Sequence, residues 1–143
     1  MEIVEFLTVR LAEDEATARA VDDNSPPWTG EWIVRDAHAL GTRNGWCLAY
    51  PHEGREFAPG LVEHIARHDP ARVLAEVGAK RAIIARHSPH AMGGCRTCEA
   101  PHWGTLVCNR CHGQAWPCAD VRDITGVYRA HPGRQEEWAT DVR

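Results

Sequence analysis

The segment CRTCEAPHWGTLVCNRC, residues 95–111, sets two Cys-x-x-Cys pairs nine residues apart. Five of the chain's six cysteines fall between positions 95 and 118. Thiols at this density constrain the fold more than any other feature, because they converge on a metal ion, on one another as disulfides or on a redox centre, or else pack as reduced structural thiols. A redox dithiol usually follows a strand in a βαβ unit, and no such unit surrounds these cysteines. The opening MEIVEFLTVRLAEDE has no basic start, apolar run or small-residue cleavage site, so no signal peptide is expected. No stretch approaches the ~18 apolar residues of a membrane span. Both observations point to a cytoplasmic protein, where thiols stay reduced and paired Cys-x-x-Cys reads as metal before disulfide.

Zinc takes four tetrahedral nitrogen or sulfur ligands, and each Cys-x-x-Cys supplies two. The loop EAPHWGTLV between the pairs is long enough to carry a short strand out and back, as in a zinc ribbon. One zinc per chain is therefore the expected cofactor. Two ligand sets remain open. The first is Cys95, Cys98, Cys108 and Cys111, which spacing favours. The second combines one Cys-x-x-Cys with Cys118 and a histidine such as His87, while His90, His102 and His112 also lie near. In either set protein groups saturate the ion. A saturated site is structural, since catalytic zinc keeps a position open for water.

The charge balance excludes some partners. The formal charge is −4, and a single lysine, Lys80, stands among 16 basic residues. Four thiolates on one zinc would deepen the negative charge by about 2. Bulk phosphate binding needs clustered Lys and Arg, so nucleic-acid binding is expected to be weak, no tighter than about 10⁻⁵ M. CNRCHG resembles the last zinc knuckle of HNH-type nucleases, but that family needs a histidine and an asparagine on a much longer insert between its knuckles.

Along the chain, hydrophobic periodicity predicts a helix from residue 2 to about 20. Val4, Leu7, Leu11 and Ala18 form its stripe, and Ile3 and Phe6 widen it. Pro26 and Pro27 stop it. EWIVRDA and GWCLAY read as strands, with Asn44-Gly45 as a turn between them, giving a hairpin or three-stranded meander. Trp28, Trp32 and Trp46 are expected to supply core surface there, and Glu56-Phe57 a brief third strand. LVEHIARHDPARVLAEVGAKRAIIARH predicts two helices with a bend, Asp69 capping the second and Pro70 opening it. That helix should end near His87, because Ser88-Pro89 blocks it. ADVRDITGVYRA predicts a short helix, and the tail should dock through Trp138. Cys47 reads as a small buried apolar residue. His64 and His68, four apart on a helix, have the spacing of two metal ligands on one face or, with Asp69, could serve a hydrolase, although nothing in the sequence orients them.

The chain resembles a family of small actinobacterial and actinophage proteins catalogued only as a domain of unknown function. The resemblance runs through IVEFLTVRLAEDEATARA, SPPW, EHIARHDPARVLAEVGAKRAIIARH, the Trp-Pro-Cys step and the closing HPGRQEEW. The opening half is also similar to phage early-region accessory proteins. The resemblance implies no activity. It does imply a ligand set of one Cys-x-x-Cys, the cysteine after the proline and a histidine ending the long helix, matching Cys118 and His87 here.

The expected fold is α+β: an N-terminal helix, a small antiparallel sheet, a long helix and a C-terminal zinc knuckle. Residues 1–88 are expected to form the core and residues 89–143 the knuckle segment with its short helix and tail. The expected function is a non-enzymatic, zinc-stabilised protein-interaction module, of the kind a phage or mobile element encodes as an accessory protein. The alternatives are a weak nucleic-acid-binding zinc protein, using Arg96, Arg110 and Arg122, and a hydrolase built on His64, His68 and Asp69. The partner is expected to be a protein, with no membrane and with nucleic acid disfavoured.

Overall fold

A computed structural model describes residues 1–23, 31–35, 39–52, 56–91, 106–111 and 114–139. The fold is α+β. Helix α1 spans Ile3–Asp23. Strands β1 (Trp32–Arg35), β2 (Ala39–Thr42) and β3 (Cys47–Ala49) form an antiparallel sheet in that order. Helices α2 (Leu61–Arg67) and α3 (Pro70–Arg86) follow. Strands β4 (Pro89–Ala91) and β5 (Leu106–Cys108) pair antiparallel, with His90 opposite Val107. Helix α4 (Ala119–Thr125) continues into a 3₁₀ turn at Gly126–Tyr128, and a second 3₁₀ turn covers Glu136–Trp138. No helix is long and apolar enough to cross a membrane among the described residues.

The chain divides into two compact units, Ala12–Gly78 and Met1–Leu11 with Ala79–Arg143. In the first, the meander is register-locked by its turn. Thr42 N–H donates to Trp46 O at 2.8 Å, and Gly45 N–H donates to Thr42 O at 3.0 Å. Gly45 sits at φ 101°, a left-handed conformation that glycine adopts without steric cost. Gly41 is required for a different reason: a Cβ there would meet Arg35 Cδ at 2.6 Å and Trp46 O at 2.8 Å. Ala39, Leu40, Thr42, Val62 and Val77 are buried.

Several expectations change here. HALGT, which lies between the two predicted strands, contains β2, and all four β2 residues are buried. Glu56-Phe57 is not a strand. Trp46 is 53% exposed and Trp32 half-buried, so neither fills the core as expected. Trp46 instead supplies backbone partners to the turn. Trp28 lies outside the described residues. The bend between α2 and α3 falls where the sequence placed it. Asp69 Oδ1 accepts the Arg72 N–H at 2.8 Å, which caps α3 with Pro70 in the first helical position.

In the second unit, Ile3, Phe6 and Leu7 of α1 pack with Val121, Ile124, Trp138, Cys108 and Cys118. Ile3 and Phe6, expected only to widen the stripe, are more buried than Val4. The Phe6 ring lies 5.2 Å from the Trp138 ring and meets Tyr128 edge-on at 6.0 Å. Trp138, 4% exposed, docks the tail as expected. Two of the eight buried residues in this cluster are thiols, so the core and the site share a wall.

Candidate metal centre

Four side chains from four local contexts converge within this second unit. His87 follows the last turn of α3, its N–H donating to Ile83 O at 3.1 Å and Ile84 O at 3.2 Å. Ser88 and Asn109 then fasten the helix end to the knuckle. Ser88 N–H donates to Asn109 Oδ1 at 3.0 Å, and Asn109 N–H donates to Ser88 O at 3.0 Å. Cys108 ends β5, with its N–H donating to Gln114 O at 2.8 Å. Cys111 closes the turn after it, its carbonyl accepting Gln114 N–H at 3.1 Å. Cys118 stands at the N-cap of α4, and its carbonyl accepts Arg122 N–H at 3.1 Å.

The donor atoms surround one point. His87 Nδ1 lies 3.6 Å from Cys108 Sγ, 3.4 Å from Cys111 Sγ and 3.4 Å from Cys118 Sγ. All four donor atoms lie within 4.8 Å of one another. An imidazole nitrogen presents one lone pair, so hydrogen bonding satisfies at most one of three thiols. A tetrahedral zinc with Zn–S of about 2.3 Å and Zn–N of about 2.0–2.1 Å sets N and S about 3.6 Å apart. The observed spacings match the edges of that tetrahedron. Cys108, Cys111 and Cys118 are free thiols, not disulfides.

The three thiols are shifted in different directions. At Cys108 burial opposes ionisation, but the backbone N–H groups of Arg110 and Cys111 and the neighbouring thiols outweigh it and bring the thiol down to about 7. Burial pushes Cys111 up to about 12, and its contacts with Cys108 and Cys118 push the same way. Burial likewise raises Cys118. One sulfur therefore ionises at the expense of its neighbours. A positive ion at their centre would favour the thiolate form of all three.

Of the cysteines expected to bind, Cys108 and Cys111 are brought together with both alternates, Cys118 and His87. Cys95 and Cys98 lie outside the described residues, as do His102, His112 and Arg96. His90 sits exposed on β4. His64 and His68 are exposed with rings 4.4 Å apart, and His68 Nδ1 lies 2.8 Å from His64 O. Asp69 is committed to capping α3. Cys47 is half-buried, its thiol facing Leu40 O at 3.7 Å. Arg110 is exposed, whereas Arg122 is half-buried with its Nε enclosed and unpartnered among the described residues. Sequence reasoning missed Asp120, whose Oδ2 lies 3.5 Å from both Cys111 Sγ and His87 Nδ1. Its signal was its place two residues after Cys118, in the first turn of a helix.

Fold and site together define an α+β protein with a His/Cys cluster able to coordinate a metal ion. Residues 1–140 match the family model of DUF6221, a family of unknown function, and the chain belongs to that family. A search of the curated proteins and a search of the solved structures each return no match.

Proposed function

We propose that this chain is a non-enzymatic protein-interaction module stabilised by one structural zinc, held by His87, Cys108, Cys111 and Cys118. The observation that carries the reading is the ring of three sulfurs at 3.4–3.6 Å around His87 Nδ1. Four protein ligands saturate the ion and leave no position for substrate or water, which favours a structural role. A reducing cytoplasm keeps the thiols available to the ion. Exposed apolar side chains in the Ala12–Gly78 unit support a protein partner. Leu61 and Ile65 stand one turn apart on α2, and Trp46 and Tyr50 flank β3, all exposed. Aromatic anchors of this kind are enriched where proteins bind proteins. The accessory role in a phage or mobile element that the sequence resemblance implies belongs to the same reading.

The test is elemental analysis of protein purified without added metal. It should contain about one zinc per chain, and prolonged chelation should unfold the unit that holds the cluster, since zinc binding there is folding energy. Iron, or no metal, would refute the reading.

A further inference from the structure

The four donors leave one carboxylate unexplained. Asp120 Oδ2 is 3.5 Å from His87 Nδ1 and 3.5 Å from Cys111 Sγ. Donors that share a zinc with Zn–O of about 2.0–2.2 Å stand at this kind of separation. Asp120 is nonetheless outside the set whose atoms all fall within 4.8 Å of one another. Its carboxylate therefore lies over the Cys111–His87 edge, not at the centre. Cys111 is half-buried where Cys108 and Cys118 are each 1% exposed, which makes it the thiol that solvent reaches first. His87 and Asp120 line one open hollow with Ile83, Asp123 and Ile124, so a path to this edge exists.

We propose that Asp120 is a standby ligand that replaces Cys111 when that thiolate leaves the ion. The proposal rests on the zinc reading above. Zinc accepts carboxylate oxygen as well as sulfur or imidazole nitrogen, and imposes no geometry from its d-electrons. The ion would then remain on Cys108, Cys118, His87 and a carboxylate. Cys111 becomes an exchangeable thiol that can react with an electrophile while the knuckle stays folded. Cys108 and Cys118 are instead enclosed in the core, away from solvent.

The experiment compares zinc-loaded full-length chains. Cys111→Ala should keep about one zinc after dialysis, with affinity lowered about 10–100-fold, and Cys111→Ala/Asp120→Asn should lose a further factor of similar size. Asp120→Asn alone should stay loaded. Cobalt(II) substitution reads the donors directly: Cys111→Ala should keep a tetrahedral visible spectrum, with sulfur-to-metal charge transfer reduced by about a third. If Cys111→Ala empties as completely as Cys108→Ala, or if adding Asp120→Asn changes nothing, the standby role is overturned and the zinc reading stands. If the unaltered chain takes up neither zinc nor cobalt, the zinc reading fails and this one with it. A second measurement avoids any folding defect of Cys111→Ala. The native zinc protein is alkylated with iodoacetamide and weighed intact. Chains modified at Cys111 should retain zinc when Asp120 is present and lose it in Asp120→Asn. Zinc loss from the modified, otherwise unaltered chain would overturn the proposal.

Discussion

Cys118→Ser separates ligation from packing, because Cys118 takes part in both. Its side chain is 1% exposed and packs with Ile3, Leu7 and Val121, while its sulfur is 3.4 Å from His87 Nδ1. Serine keeps the size and removes the soft donor. Without metal, the exchange buries a hydroxyl in place of a thiol and should cost about 1–2 kcal/mol. With metal, a fourth ligand is also lost. A thousandfold loss of affinity at a fixed excess of zinc corresponds to about 4 kcal/mol of lost stabilisation. The penalty in zinc should therefore exceed the penalty in chelator by about that amount. Urea unfolding of both proteins, each with zinc and with chelator, closes the cycle, and elemental analysis after dialysis reports the ion. Cys118→Ser should come out without zinc, whereas Cys95→Ser should keep it. Full zinc retention by Cys118→Ser, with equal penalties in the two conditions, would refute the ligand set drawn here.

Two further outcomes are expected. Zinc uptake at about pH 8 should release about two protons, because Cys111 and Cys118 are held protonated above the ordinary thiol value while Cys108, lowered to about 7, is already mostly ionised. Affinity should then fall as pH falls, protons competing with the ion, and calorimetry in buffers of different ionisation enthalpy measures the count. Asp69→Ala should destabilise the fold by about 1 kcal/mol through loss of the α3 cap, with Asp69→Asn nearly silent and zinc content unchanged in both, as urea unfolding and metal analysis would show.

The parts of the fold legible in sequence were those written in local backbone chemistry. Asn44-Gly45 marked a turn because Gly45 needs positive φ. Asp69-Pro70 marked a helix start because cap and first position have their own residue preferences, and Ser88-Pro89 marked its end. Strand β2 was hidden because Ala-Leu-Gly-Thr is buried at every position, which erases the alternation by which a strand is recognised, and because Gly41 answers a close approach from Arg35 and Trp46 that only tertiary structure shows. Strand β4 was hidden because its partner β5 begins 15 residues beyond its end, and non-local pairing leaves no periodic trace in three residues. Trp46 was misread for the opposite reason: a large apolar side chain suggested burial, while the turn uses its backbone. At the site, Cys108 and Cys111 were plain from their spacing. That His87 and Cys118 come to meet them was not, since spacing records how near residues are along the chain and not which helix end returns to meet them. Asp120 stood two residues after Cys118 in a first helical turn, a position that acidic side chains favour without any ion nearby.

His87 belongs to the end of a long helix, and the sulfurs it faces are 21, 24 and 31 residues further along. An ion held by all four closes loops of those lengths at one stroke, as a cross-link does. For a closure of this size the chain-entropy relation gives about 3–4 kcal/mol drawn from the unfolded state. With the proposed ion bound, the knuckle is not a cassette. A chain cut or recombined anywhere between Ser88 and Leu106 would carry three sulfurs away from their nitrogen, so the segment can be transplanted only together with the last turn of α3 that precedes it.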